Sequence, residues 1–119
     1  MANPSTTGPS GIGSEVLRRA YVESASNTTS VVLTVGTDMI VTILSVIVEQ
    51  NGGATKSLNM YVATDGSGAN YLIRNQSMAN QSTFVWSDKF VMTEGDILNV
   101  WSDSTDHDIY VSYIEQEFA

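Results

Sequence analysis

The sequence predicts an all-β domain: an antiparallel β-sandwich, jelly-roll-like, of about eight strands, preceded by an extended N-terminal arm. Three observations predict it. Runs dominated by Thr, Val, Ile, Tyr, Phe and Trp recur from residue 16 onward, and these residues fit a pleated, half-buried surface. Apolar residues alternate within the runs: Leu58, Met60 and Val62 fall on one face with Asn59 on the other, Phe84 shares a face with Trp86, and Ile109 shares one with Val111 and Tyr113. Turn-forming residues separate the runs.

In chain order the predicted strands cover 16–23, 28–35, 39–49, 56–63, 70–74, 83–92, 97–102 and 109–118. The most apolar stretch, residues 39–48, is about half as long as a membrane-spanning helix and contains Thr42 and Ser45, so it reads as a buried strand. Asn51-Gly52-Gly53 and Asp65-Gly66 supply the positive φ angles of tight turns, and Glu94-Gly95-Asp96 turns the chain into Ile97. The polar segment 103–108 reads as an exposed loop. Helix is confined to a turn or two near 13–17 or 76–79.

Two domains of behaviour follow: an arm over residues 1–15 and a sandwich over 16–119. The first fourteen residues hold both prolines and three of the nine glycines, and no charged side chain. Pro4 and Pro9 stiffen this stretch, and Ile12 is its one large apolar residue after Met1, so Pro4, Pro9 and Ile12 are the expected partner-binding residues of an arm laid against a neighbouring subunit. The arm lacks the basic and apolar parts of a signal peptide.

The chain has 119 residues, enough to bury about two thirds of its unfolded surface without a staple, and it has no cysteine. A thiolate nucleophile, a thiolate metal site and a disulfide are therefore excluded. The net charge is −8, and seven of the thirteen acidic residues lie from Glu94 onward, so nucleic acid and anionic membranes are poor partners.

Catalytic sets are hard to assemble from these residues. His107 is the only histidine, so any conventional triad would have to use it, and no serine stands in a Gly-x-Ser-x-Gly elbow. Asp103, Asp106, His107 and Asp108 offer hard ligands, but alternation sends neighbours to opposite sides, and the spacing lacks the central glycine and closing glutamate of an EF-hand loop. Glu94 and Asp96 flank Gly95 and read as turn residues before they read as a glycosidase pair. Asp65-Gly-Ser-Gly68 has no lysine to make it a phosphate cradle. No enzyme activity, metal or cofactor is expected. The sequons at Asn27, Asn75 and Asn80 fit chance in a chain rich in Asn, Ser and Thr. Trp86 and Trp101 are the aromatic residues best placed for a ligand or subunit interface.

Tyr71-Leu-Ile-Arg-Asn-Gln-Ser-Met78, then Trp86-Ser-Asp-Lys-Phe-Val-Met-Thr-Glu-Gly-Asp-Ile-Leu98, then the closing strand Ile109-Tyr-Val-Ser-Tyr113, resemble the small β-sandwich virion proteins of tailed bacteriophages. The block Val41-Thr-Ile-Leu-Ser-Val-Ile-Val-Glu-Gln-Asn51 followed by Leu58-Asn-Met-Tyr-Val62 is similar to their paired central strands. The likeness covers about residues 16–115 and rests on patterns, chiefly the hydrophobic-x-x-Gly-Asp-x-hydrophobic turn. It implies a non-enzymatic capsid decoration or cement protein located in the virion, a homo-oligomer with a trimer preferred, whose partner is the major capsid protein or another virion protein. A neck, tail or fibre-base subunit is the alternative it leaves open. A carbohydrate-binding module acting through Trp86 or Trp101 is the rival from a different class, and exposure of either indole among polar side chains would favour it.

Overall fold

A computed structural model describes residues 15–25 and 31–118. Nine strands form: β1 (Glu15–Ala25), β2 (Val31–Thr34), β3 (Met39–Gln50), β4 (Lys56–Ala63), β5 (Asn70–Met78), β6 (Ser82–Trp86), β7 (Phe90–Thr93), β8 (Ile97–Ser102) and β9 (His107–Glu117). They make two antiparallel sheets, one in the order β1-β9-β3-β6 with β7 also on β3, the other β2-β8-β4-β5. With β6 and β7 counted as one interrupted strand, every connection crosses between the sheets except the β4–β5 hairpin. That alternation is the jelly-roll winding, and the expected eight strands are its eight topological positions.

The interruption has a local cause. The predicted run 83–92 carries Ser87-Asp88-Lys89 in its middle, residues poorly suited to a ladder. There the chain leaves β3: β6 pairs with Val46 to Gln50 and β7 with Ile40 to Ile43. β3 carries its own irregularity at the same level, where Leu44 is the extra residue between the Ile43–Tyr113 and Ser45–Ser112 pairs. Such a bulge bends the strand, so the sheet curves where its edge strand breaks.

Alternation places the core as expected. Val41, Ile43, Val46 and Val48 of β3, Leu58 and Met60 of β4, Leu98 and Val100 of β8, and Ile109, Val111 and Tyr113 of β9 point between the sheets. Phe84, Trp86 and Phe90 pack against that cluster from the edge. Two expectations of helix are overturned: residues 15–17 open β1, with Glu15 paired to Gln116, and 76–78 end β5. Met78 is buried in the core, and the strand reaches it through a bulge at Asn75, whose φ is 53°. The segment 13–14 and the proposed arm residues Pro4, Pro9 and Ile12 lie outside the described residues.

Each end of the sandwich is tied by a polar knot. At one, Gly95 (φ 85°) lets the chain turn beneath Asp65, where a Cβ would stand 2.6 Å from Asp65 Oδ1. The Asp96 carboxylate then accepts from the Asp65 and Thr93 amides, each at 2.9 Å. The Gly-Asp pattern is thus a fold device that joins the β4–β5 and β7–β8 connections. At the other end the buried Gln50 donates to Ala54 O at 2.7 Å and accepts from the Gly52 amide and from Ser104 Oγ. A side chain on Gly52 would overlap Ser104 Oγ.

Candidate interaction surface

The residues that could have carried chemistry are occupied by the fold. Asp103 Oδ1 accepts from the Ser57 amide at 2.8 Å, and Asp108 Oδ1 accepts from Ser24 at 2.7 Å, so the two carboxylates serve different strands. Glu94 Oε1 caps the Asp38 amide at 2.7 Å while Asp96 points into its turn. Among the described residues no three His, Asp or Glu side chains group so as to hold a metal ion.

His107 corrects the reading of 103–108 as an exposed loop. It is the first residue of β9, fully buried, between Gln50 of β3 and Ala25 of β1. Ser104 is also buried. Stepping back by two from Ile109 puts His107 on the inward face, so the period was present but hidden by polar neighbours. Burial holds its pKa below the usual 6.5, against the opposing pull of the Ser104 backbone and of Asp106 and Asp108. Neither ring nitrogen makes a hydrogen bond of normal geometry.

The two tryptophans do not form one site. Trp86 lies on the larger sheet, half-buried, edge-on to Phe90 with centroids 6.4 Å apart, and its indole N–H donates to Asp88 O at 2.8 Å. Trp101 lies on β8 of the other sheet, half-buried and opposite Asn59. Its neighbours on that outer face are mutually engaged. The Tyr71 ring meets Tyr61 at 5.0 Å, and the Arg74 guanidinium sits 4.0 Å from its centroid. Asn59, buried, accepts the Asn75 amide at 2.9 Å.

The outer face of the larger sheet is different, and sequence reasoning missed it. Register lines up Tyr21, Tyr110, Ile47 and Val85 across β1, β9, β3 and β6. All four are exposed, from 37% at Ile47 to 57% at Val85. A second row joins Leu17, Ile114, Thr42 and Val91, with Val91 61% exposed. Between them runs Arg19, Ser112 and Ser45; beyond the first row lie Asp108 and Glu49, with Glu23 at the β1 bulge next to them. A sheet with one solvated face ordinarily alternates apolar-in and polar-out. Here two outward rows break that rule. The signal in the sequence was β1, where Leu17 and Tyr21 alternate with Val16, Ala20 and Val22, so both faces read as apolar.

Arg19 organises this face. Its guanidinium lies 5.4 Å from the Tyr21 centroid and 6.0 Å from that of Tyr110, the two rings being stacked at 6.3 Å. It donates to the Tyr110 hydroxyl at 3.2 Å, which raises its pKa further. The rib so formed separates two shallow grooves of about 630 and 370 Å³. Arg18, at the sheet edge, pairs with Glu115 at 2.9 Å.

No family model and no curated protein matches the chain. Among solved structures, a subunit from work on Bacillus endospore appendages, described as a family of disulfide-linked pili, matches with a TM-score of 0.57 at 11% identity, covering 98% of this chain and all of that one. At that identity the likeness is one of fold. Two further matches are too distant to bear on function. One is the CBM22-1–GH10 modules of Clostridium thermocellum xylanase 10B (TM-score 0.41, 14% identity, 85% of this chain and 26% of that one). The other is a pentameric capsid protein from metagenomic phage sequences (TM-score 0.40, 18% identity, 82% and 60%).

Proposed function

We propose that this chain is a non-enzymatic structural subunit of a bacteriophage particle, a decoration or cement protein that binds the capsid shell and works as a homo-oligomer. The observation that carries a structural role is the outer face of the larger sheet: two exposed apolar rows on a domain whose Asp96, Asp103, Gln50 and His107 are bonded or buried within the fold. The placement on a virion rests on the sequence resemblance over residues 16–115, and the Gly95–Asp96 turn that helps carry it acts as a fold device. Anchoring by residues 1–14 belongs to the same proposal. A neck, tail or fibre-base position is compatible with the same surface, and nothing in the subunit geometry singles out a three-fold ring.

The absence of cysteine constrains the assembly. Covalent linking of the kind named for the endospore pili is closed to this chain, so its contacts must come from apolar burial and hydrogen bonds. A carbohydrate-binding role fits less well. Both indoles proposed for it, Trp86 and Trp101, are half-buried, and the Trp86 N–H is taken by Asp88 O. The test is binding of the recombinant chain to particles that lack it. Saturable binding at a fixed copy number, weakened strongly by deletion of residues 2–14 with the melting temperature of the free subunit unchanged, is the expected result. Failure to bind any shell, neck or tail component would overturn the reading.

A further inference from the structure

We infer that the outer face of the β1-β9-β3-β6 sheet is a self-complementary interface that takes a second copy of this chain about a two-fold axis. The inference rests on the structural-subunit reading above and deepens it by naming the surface and its occupant. The axis lies in the interface, across the strands, along the row Tyr21–Tyr110–Ile47–Val85.

Charge selects both the occupant and the axis. Two copies of a chain with net charge −8 repel unless cations meet acids locally. On this face the row on one side of the apolar line begins with Arg19, and on the other side lie Asp108 and Glu49, with the exposed Glu23 at the β1 bulge next to them. Rotation about the line lays each row on the other, so Arg19 meets Glu23 of the partner subunit and the contact is made twice. The apolar line meets itself. An axis along the strands would instead set acidic row on acidic row. The pairing is isologous, as most closed contacts between identical subunits are.

The size is sufficient. Four strands at about 4.8 Å, over the run from Leu17 to Ala25 that the axis at Tyr21 centres, at about 3.3 Å per residue, give a projected face of roughly 500 Å². Side-chain relief raises the accessible area toward the ~800 Å² per partner of a standard interface. The row also carries two tyrosines, and an arginine stands beside it, types enriched where binding energy concentrates.

Sedimentation velocity on the isolated full chain over a concentration series tests this. The wild type is expected to form a reversible dimer. Arg19→Glu, which sets acid against acid, should raise the dissociation constant about tenfold or more. Adding Glu23→Arg to it inverts the pair and should restore association to within about threefold of wild type. The axis is tested by chemistry. Packed sheets lie about 10 Å apart, too far for a disulfide, so a short bismaleimide is the reagent. With no native cysteine, Ile47→Cys sits on the axis and should be captured as a covalent dimer, whereas Val91→Cys lies off it and should not. A wild type monomeric at every concentration overturns the inference. So does a double variant no better than Arg19→Glu, equal capture at 47 and 91, or loss of the dimer on deleting residues 2–14, which would make the arm the occupant. A monomer that still saturates particles sinks this interface and leaves the structural role standing; a dimer that binds no particle does the reverse.

Discussion

The outer faces of the two sheets each carry a tyrosine pair with an arginine on it, and differ in the aliphatic surface they leave open. On the β2-β8-β4-β5 face the aromatic and amide groups engage each other: Tyr71 between Tyr61 and Arg74, Asn59 with the Asn75 amide, Asn99 with Ile97 O. On the β1-β9-β3-β6 face Arg19, Tyr21 and Tyr110 do the same, while the aliphatic side chains of Leu17, Ile47, Val85 and Val91 remain exposed. An outward side chain with an intramolecular partner belongs to the fold. An outward apolar row without one is surface that folding alone does not explain, and it points to a second molecule.

The first way to break this contrast is Asn59→Ala. Asn59 is 7% exposed, and its carbonyl is the partner of the amide at the β5 bulge. Asn75 itself is exposed, so water can take the freed N–H, and losing the hydrogen bond should cost about 0.5–1.5 kcal/mol. Urea unfolding should show a lower midpoint with an unchanged slope. An unshifted midpoint would mean that the engaged face is not part of the fold after all.

The inner side of the larger sheet supplies the next test. His107 is buried with its folded pKa below 6.5. As pH falls through 6.5 the unfolded chain takes up a proton that the folded chain refuses, so stability declines until the buried ring itself charges. Above 6.5 this residue makes no slope. Urea midpoints from pH 7.5 down to 5 should fall for the wild type, and His107→Gln should flatten the part of that fall nearest 6.5. Parallel curves would show that the ring is not held neutral. A smaller effect is expected at Arg74→Ala, which uncovers the Tyr71 ring; an exposed cation–π contact contributes about 0.5–1 kcal/mol. A calorimetric melting temperature no lower than wild type would show that Arg74 contributes nothing to the fold at Tyr71.

Period two made most of the fold legible. Lys56–Ala63 and Ile97–Ser102 stand where alternation and flanking turns placed them, and the core positions Leu58, Met60, Ile109 and Val111 follow. Three things were hidden, each for a physical reason. The break at residues 87–89 had a local sign in Ser87-Asp88-Lys89, but its match to the bulge at Leu44 needed the partner strand. His107 was masked by polar residues on both sides, of which Ser104 is buried against Gln50 while Asp108 faces outward. The apolar rows were invisible because a row crosses four strands far apart in sequence, and only register assembles Tyr21, Tyr110, Ile47 and Val85. Trp86 and Trp101, singled out by residue type alone, fall on different sheets.

The smallest expected effect on stability is the most telling. Val85→Thr and Val91→Thr exchange a methyl for a hydroxyl on strands β6 and β7 while keeping the β-branched shape that suits a strand. Both side chains are more than half exposed, and neither belongs to the core cluster. The hydroxyl therefore meets water in the free subunit, and no buried apolar area is lost. Surface changes of this sort stay within about 0.5 kcal/mol, so urea midpoints should hardly move. Were the rows part of the domain's own packing, each change would bury an unpaired hydroxyl and cost about 1–3 kcal/mol. The same pair of substitutions removes apolar area from any molecule seated on the face. Association measured by sedimentation should weaken for the Val85→Thr, Val91→Thr double variant while folding stability holds. Loss of stability with association intact would reverse the roles of the two faces.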